Sequence, residues 1–214
     1  MKSKLAVFSF VSLVFILMVA VYGLTASADK KTTSEKISGE SMNNMNYKKA
    51  TFGAGCFWGV EAVFQELEGV IETSVGFMGG NTKNPTYKDV CYTETNHAEV
   101  VDITYDPNVI SYTDLLSVFF SLHDPTTLNR QGPDVGSQYR SAIFYHDDNQ
   151  REIALNALEQ IEEKKYFDRA VVTEVTKAGE YYIAEDYHQD YYKARGITPH
   201  CGIGAVNVTL EDNK

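Results

Sequence analysis

The sequence has few of the residues that build metal sites, disulfide scaffolds or nucleotide sites. Its 214 residues include three cysteines and five histidines. Three cysteines are too few for a disulfide-held fold, and the histidines show no metal-ligand spacing. The sequence has neither a Cys-x-x-Cys pair nor a phosphate-binding glycine motif, which excludes a thioredoxin-like motif and a P-loop in it. We therefore expect no metal and no bound cofactor.

Positive charge is also scarce. Lysine and arginine number 19 against 29 aspartates and glutamates, so the net charge is −10 at pH 7. No basic run occurs beyond the first few residues. This balance argues against nucleic acid or an anionic membrane surface as the main partner. Because 43% of the residues are apolar, we expect one packed domain, and we expect it to be monomeric.

The first residues have the pattern of a targeting segment. Lys2 and Lys4 precede an apolar stretch over residues 5–24, and residues 26–28 form a small-x-small cleavage site. This order predicts a signal peptide over residues 1–28. A retained membrane anchor is the alternative, because the apolar stretch approaches the roughly 20 residues that span a bilayer. Both interpretations predict that the rest of the chain is exported to the periplasm, the cell envelope or the medium.

The rest of the sequence predicts a linker followed by one α+β domain. Residues 29–46 are polar and predict a flexible linker, and residues 47–214 predict the folded domain. Alternating and helical apolar patterns define the elements within it. The expected strands span residues 49–52, 71–75, 99–105, 139–145 and 170–175, and the expected helices begin near residue 56, at residue 111 or 113, and at residue 149. This order predicts a split-βαβ (ferredoxin-like) fold, with an antiparallel or mixed sheet, helices on one face and long functional loops.

One cysteine stands where a strand should end and a helix begin. Glycines flank it in the segment Gly53-Ala54-Gly55-Cys56, and the only tryptophan, Trp58, follows two residues later. The positive end of a helix stabilises a thiolate and can lower a cysteine pKa several units below about 8.5. A small buried cysteine beside core aromatics is the alternative. The glycine-rich turn favours a nucleophile.

A carboxyl group is expected on the apolar side of the third strand. Glu99 alternates in phase with Val101, Ile103 and Tyr105, and residues in phase share one face of a strand. An ordinary strand carboxylate facing solvent is the alternative. A buried carboxyl group has its pKa raised and can act as an acid near neutral pH.

Several segments together resemble one enzyme family. Gly-Cys-Phe-Trp-Gly at residues 55–59 resembles the signature of the A-type peptide-methionine sulfoxide reductases, one of two types that act on different sulfoxide epimers. Further segments are similar to family motifs and stand in family order: residues 84–87 with 90–91, 97–100, 134–141, 187–189 and 201–204. The resemblance covers residues 47–205, and several motifs in register are specific.

The resemblance implies a thiol-based reduction. Cys56 would attack the sulfoxide sulfur, Glu99 would protonate the sulfoxide oxygen, and Cys201 would then attack the sulfenic acid formed on Cys56. It further implies an oxidoreductase that reduces the S-epimer of methionine sulfoxide, in proteins or free, and so repairs proteins after oxidative stress. A separate thioredoxin-like protein would supply the electrons.

The resemblance also assigns the substrate pocket. Tyr87 and Tyr139 would hydrogen-bond the sulfoxide oxygen, and Asp134 would organise the pocket. Phe57 and Trp58 would hold the substrate methyl group. These residue types suit the chemistry, because a sulfoxide oxygen only accepts hydrogen bonds and tyrosine hydroxyls donate them. An apolar wall discriminates for a methyl group by about 1–3 kcal/mol.

Other interpretations remain open from the residues. A cysteine hydrolase would need a histidine base, for which His97 is the one motif candidate. A non-catalytic module that binds methionine-rich proteins would need neither Glu99 nor a resolving thiol. We expect Cys91 to be a buried structural thiol and His188 to be a core or supporting residue. The sequence also departs from the family pattern, notably with Asn96 where glycine is usual before His-Ala-Glu.

Overall fold

The protein is seen in a computed structural model that describes residues 46–199 and 206–212. The predicted signal peptide, nearly all of the predicted linker and Cys201 lie outside these residues. Within the described residues, no helix is both long enough and apolar enough to cross a membrane.

The described chain alternates strands and helices much as the sequence predicts. The strands are β1 (Lys48–Ala54), β2 (Val70–Met78), β3 (Ala98–Tyr105), β4 (Arg130–Gln131), β5 (Asp134–Val135), β6 (Ser141–Tyr145), β7 (Glu174–Lys177) and β8 (Tyr182–Ile183). The helices are α1 (Phe57–Gln65), α2 (Tyr87–Tyr92), α3 (Tyr112–Leu122), α4 (Asp148–Lys164) and α5 (Tyr191–Arg195), with single 3-10 turns at Ser137–Tyr139 and Asp186–His188.

Six strands form one mixed sheet in the order β7-β6-β1-β3-β2-β8. All neighbouring pairs are antiparallel except β6 and β7, which are parallel. The four inner strands β6-β1-β3-β2 have the strand order of a split βαβ unit. The predicted α+β fold with a mixed sheet is therefore confirmed.

The main core lies between the sheet and the helices. Phe52 of β1 stacks on Phe64 of α1 and on Phe119 of α3, with ring centroids 5.6 and 5.0 Å apart. All three side chains are fully buried. Stacked aromatic rings contribute beyond the area that they bury, so this trio fixes α1 and α3 on one face of β1. A smaller cluster around Phe144 packs on the opposite face of the sheet.

At one helix the structure decides between two predicted starts, and two further local elements differ from the sequence expectation. The capping box that begins α3 uses Ser111 and Asp114, so Ser111 rather than residue 113 starts this helix. Helix α2 was not expected, since residues 79–97 read as irregular. The strand predicted over residues 170–175 begins only at Glu174. It begins late because the backbone N–H of Val172 donates to the Pro125 carbonyl, not to the sheet.

Candidate active site

The turn between β1 and α1 presents Cys56 at the start of a helix. Cys56 is the N-cap residue of α1 and is partly buried. The turn before it requires glycine, because Gly55 has a φ of +91° and a Cβ there would lie 2.6 Å from the Gln131 side chain. The strand, the glycine turn and the helix start that the sequence predicts around Cys56 are all present.

Glu99 lies beneath this helix start. Its side chain is 1% exposed, and its Oε2 accepts a hydrogen bond from the Phe57 backbone N–H at 3.1 Å. Burial raises the pKa of Glu99 to about 8, the charge of Asp134 raises it further, and the bond from Phe57 opposes the rise. Glu99 is therefore protonated at neutral pH. The buried side of β3 is where the alternation pattern placed it.

Two tyrosine hydroxyls lie near Glu99. Tyr87 is the first residue of α2, and Tyr139 lies in the 3-10 turn before β6. Burial is the largest cause that raises the pKa of each hydroxyl, and the charge of Glu99 raises both further. Both hydroxyls therefore stay protonated and can donate hydrogen bonds. The charges of Asp134 and Cys56 also act on Tyr139, which places these groups around one site.

Aromatic rings form one wall of the site. Phe57 is buried, with its ring centroid 6.3 Å from that of Tyr87 and 5.3 Å from that of His188. Trp58 is half-buried, and its indole N–H donates to His188 Nδ1 at 3.0 Å. Tyr191 stacks on Trp58 with centroids 3.7 Å apart. This wall is apolar and suits a small thioether group.

Cys91 departs from its expected structural role. It is only partly buried, and the Tyr87 hydroxyl donates a hydrogen bond to its sulfur. Burial raises the pKa of this thiol, and the charges of Glu99 and Glu185 raise it further. Cys91 therefore borders the site instead of lying in the core, but its thiol remains protonated and is a poor nucleophile.

His97 is occupied by a loop contact. Its Nδ1 accepts from the Gly80 backbone N–H at 3.1 Å, and its Nε2 lies 2.8 Å from the Thr82 carbonyl oxygen. Because Nδ1 accepts, Nε2 carries the proton and donates to Thr82. Both ring nitrogens are engaged, so His97 is not poised as a base for Cys56. This contact argues against the hydrolase interpretation.

The departure at Asn96 has a local explanation. Asn96 has a φ of +57°, in the left-handed region. Glycine adopts this conformation at no steric cost, and asparagine is among the few other residues that tolerate it. The site thus keeps its backbone shape without the usual glycine.

The structure brings seven of the eight predicted site residues together, while Cys201 lies outside the described residues. The roles of these residues remain predictions from the resemblance. The sequence did not point to three residues that support the site, namely Glu61 of α1, Glu185, which accepts from the Tyr87 backbone N–H, and Tyr191, which stacks on Trp58. Glu61 follows Phe57 by one helical turn, and this spacing was the available signal.

Comparisons with known proteins agree with this geometry. A family model for peptide methionine sulfoxide reductase matches residues 48–210. The peptide methionine sulfoxide reductase MsrA of Methanothermobacter thermautotrophicus is 60% identical over 145 residues, which cover 68% of this chain and 86% of that protein. The MsrA of Methanosarcina acetivorans is 48% identical over 172 residues, which cover 79% of this chain and 92% of that protein.

Solved structures show the same fold. Reduced Mxr1 from Saccharomyces cerevisiae matches with a TM-score of 0.67 and 33% identity, covering 75% of this chain and 92% of that one. Methionine sulfoxide reductase A of Corynebacterium diphtheriae matches with a TM-score of 0.62 and 37% identity, covering 77% and 84%. The chain therefore belongs to the peptide methionine sulfoxide reductase family.

Proposed function

We propose that this chain reduces the S-epimer of methionine sulfoxide to methionine, in proteins and in the free amino acid. The observation that carries the proposal is the buried Glu99 carboxyl group, which accepts a hydrogen bond from the first N–H of the helix that begins beside Cys56 and whose pKa burial raises to about 8. Family membership supports the same reaction. A buried acid next to a cysteine at a helix start has the chemistry that a sulfoxide reductase needs.

In the first step, the Cys56 sulfur bonds to the sulfoxide sulfur while the oxygen is protonated. Glu99 supplies that proton, and the neutral hydroxyls of Tyr87 and Tyr139 hold the oxygen. The S–O bond of the substrate and the new bond between the two sulfurs then break, the protonated oxygen is transferred to the Cys56 sulfur as a sulfenic acid, and methionine leaves with the electron pair on its sulfur. The sulfur of the substrate is reduced, and Cys56 is oxidised by the same two electrons.

In the second step, Cys201 completes the cycle. Its thiol attacks the sulfenic acid on Cys56, a disulfide forms and water leaves. An external dithiol then reduces this disulfide. We propose a thioredoxin-like protein for this role, because the sequence has no Cys-x-x-Cys pair of its own. One C-terminal cysteine also means that the reductant meets the Cys56–Cys201 bond directly.

The direct test is an assay of the purified chain on the separate sulfoxide epimers with dithiothreitol as reductant. We expect turnover of the S-epimer and little of the R-epimer. Reduction of neither epimer would contradict the proposed reaction, and equal reduction of both would contradict only the stereochemical part.

We further propose that the enzyme works outside the cytoplasm, released from a signal peptide over residues 1–28. The support is the sequence pattern of residues 2–28. Mass analysis of the native protein should find a chain that begins at or near Asp29. An intact N-terminus in the membrane fraction would favour the anchor, and an intact soluble chain in the cytoplasm would contradict export.

A further inference from the structure

The proposed reaction leaves one buried carboxyl group of α1 without a role. Glu61 is 1% exposed and lies one helical turn after Phe57. Burial raises its pKa to about 7, and the charge of Asp190 raises it further, while hydrogen bonds from Thr73 and from the backbone of residues 190–191 oppose the rise. Burying a carboxyl group costs free energy unless other groups donate hydrogen bonds to it. The groups that donate to Glu61 therefore indicate its role.

The partners of Glu61 belong mainly to the segment before α5. Its Oε2 accepts from the Asp190 backbone N–H at 2.9 Å, and the carboxylate also accepts from the Tyr191 backbone N–H. Its Oε1 accepts from the Thr73 hydroxyl of β2 at 3.2 Å. One carboxylate thus joins α1, β2 and the start of α5.

Asp190 needs such support. Its φ of 50° lies in the left-handed region, which a residue with a side chain adopts only when its surroundings hold it there. The Gln65 side chain provides a second contact, since its Nε2 donates to Asp190 Oδ1 at 2.7 Å. The conformation of Asp190 sets the direction in which the next residue, Tyr191, leaves the backbone.

Tyr191 in turn contacts the substrate wall. Its ring lies nearly parallel to Trp58, 9° apart at a centroid distance of 3.7 Å. Arg195 covers Tyr191, with its Cζ 3.7 Å from the ring centroid. His188, which accepts the hydrogen bond from the Trp58 indole N–H, lies three residues before Tyr191. Two contacts that fix the indole therefore come from residues 188–191, next to the point that Glu61 holds.

We propose that Glu61 is a positioning residue, which holds the backbone of Asp190 and Tyr191 so that the Tyr191 ring keeps Trp58 in its substrate-binding orientation. It acts through Tyr191 and Trp58 and contacts no reacting atom. The inference rests on the proposed function, in which Trp58 holds the methyl end of methionine sulfoxide.

The first test compares two matched variants of α1. Glu61→Gln replaces one acceptor oxygen by an amide NH2 group that faces other hydrogen-bond donors. Glu66→Gln makes the same change at an exposed position at the end of the helix. With a methionine sulfoxide peptide, we expect Glu61→Gln to raise KM roughly tenfold, since a hydrogen bond that Glu61 accepts from the backbone or from Thr73 is lost. The single-turnover rate at saturation should change much less, and Glu66→Gln should match wild type.

Trp58 provides an independent readout, because it is the only tryptophan in the sequence. Glu61→Gln should shift its fluorescence emission as the Tyr191 contact loosens. Tyr191→Leu should raise KM as well, and the double variant should be no worse than Tyr191→Leu alone, since both changes act on one contact. Effects that multiply in the double variant would overturn the inference.

Two further outcomes decide the inference. If Glu61→Gln does not fold, Thr73→Val takes its place, because it removes one bond to Glu61 and keeps the side-chain shape. A smaller shift in emission and KM is then expected, and wild-type values would overturn the inference. If wild type reduces no sulfoxide, the proposed function fails, while the Trp58 emission still decides whether Glu61 positions the indole.

Discussion

At the scale of single residues, the environment of Glu99 determines which form of the carboxyl group meets the substrate. A carboxylate in this buried position would lack solvent and would face the charge of Asp134. Protonation removes both costs and leaves the acid form below a pKa of about 8. The hydrogen bond from Phe57 holds Glu99 next to Cys56. Position and protonation state are thus set by the same fold.

Replacing Glu99 tests this assignment. Glu99→Gln keeps the shape of the side chain but cannot release a proton, so the single-turnover rate at neutral pH should fall by roughly 10²–10⁴. Substrate affinity should change far less. In wild type, the rate should decline as pH rises through about 8, because the acid form is lost. The exposed Glu68→Gln is the control, and an unchanged rate in Glu99→Gln would contradict the acid role.

The thiols can be separated by two matched substitutions. Cys201→Ser should still reduce about one equivalent of sulfoxide per enzyme and leave a sulfenic acid on Cys56. Recycling by thioredoxin should collapse. Cys91→Ser should keep both recycling and most of the rate, because the raised pKa of Cys91 leaves it protonated. Loss of recycling in Cys91→Ser instead would move the resolving role to Cys91.

At the scale of elements, α2 carries Tyr87 into the site through its first turn. The helix has six residues, and a capping box formed by Thr86 and Asp89 fixes its start. The Tyr87 backbone N–H also donates to the Glu185 carboxylate at 3.2 Å. A short helix depends strongly on its cap, so the position of Tyr87 depends on Thr86.

Two capping boxes allow a controlled experiment. Thr86→Ala and Ser111→Ala each remove the cap of one helix, and each should cost about 1 kcal/mol of stability. Of these two helices, α2 contributes a site residue and α3 does not, so Thr86→Ala should lower the single-turnover rate several-fold, while Ser111→Ala should not. Stability is measured by denaturant unfolding of both variants. Equal rates at equal loss of stability would show that the cap of α2 does not position Tyr87.

The apolar pattern of the sequence predicted those strands and helices whose tertiary contacts favour the same structure as the local sequence. Strand β3 alternates along its length, and the helix carrying Phe119 has a clear apolar face, so both were expected from sequence. Strand β7 starts four residues later than predicted, because the Val172 backbone N–H donates to the Pro125 carbonyl outside the sheet. Helix α2 was missed although Thr86-x-x-Asp89 is a capping signal, because only six residues follow.

The site residues likewise divide into those with a local sequence signal and those without one. Cys56 and Glu99 could be singled out from a glycine turn and a strand phase, whereas Tyr87 and Tyr139 depended on the family resemblance. The spacing from Phe57 places Glu61 near the site, but its role could not be found from sequence, because its backbone partners, Asp190 and Tyr191, lie more than 120 residues away. Contacts of that range have no local signature.

At the scale of the whole molecule, the raised carboxyl pKa values link stability to pH. Glu99 and Glu61 titrate near 8 and 7 in the folded state, against 4.5 ordinarily. The folded state therefore binds more protons than the unfolded chain between about pH 4.5 and 8. This contribution is complete below about 4.5 and is lost as pH rises through 8. Asp124 and Glu174, whose pKa values are lowered, contribute in the opposite sense in acid.

Denaturant unfolding across pH 5–8 tests this linkage. Each unbalanced proton lowers the unfolding free energy by up to about 1.4 kcal/mol per pH unit. Glu99→Gln, which cannot titrate, should flatten the decline with pH relative to wild type. Identical slopes in the two proteins would show that Glu99 does not titrate in this range.

The fixed position of Asp190 at the start of α5 also bears on which group reacts first with oxidised Cys56. Asp190 is held against α1, and ten residues separate it from Cys201 in the sequence. With Cys201 in its proposed resolving role, a connection of this length would present its thiol to Cys56 at an effective concentration on the order of millimolar. We then expect a sulfenic acid on Cys56 to react within the molecule before dilute external thiols or peroxide reach it. In that case the proposed disulfide would protect Cys56 from further oxidation by the oxidants whose damage the enzyme repairs.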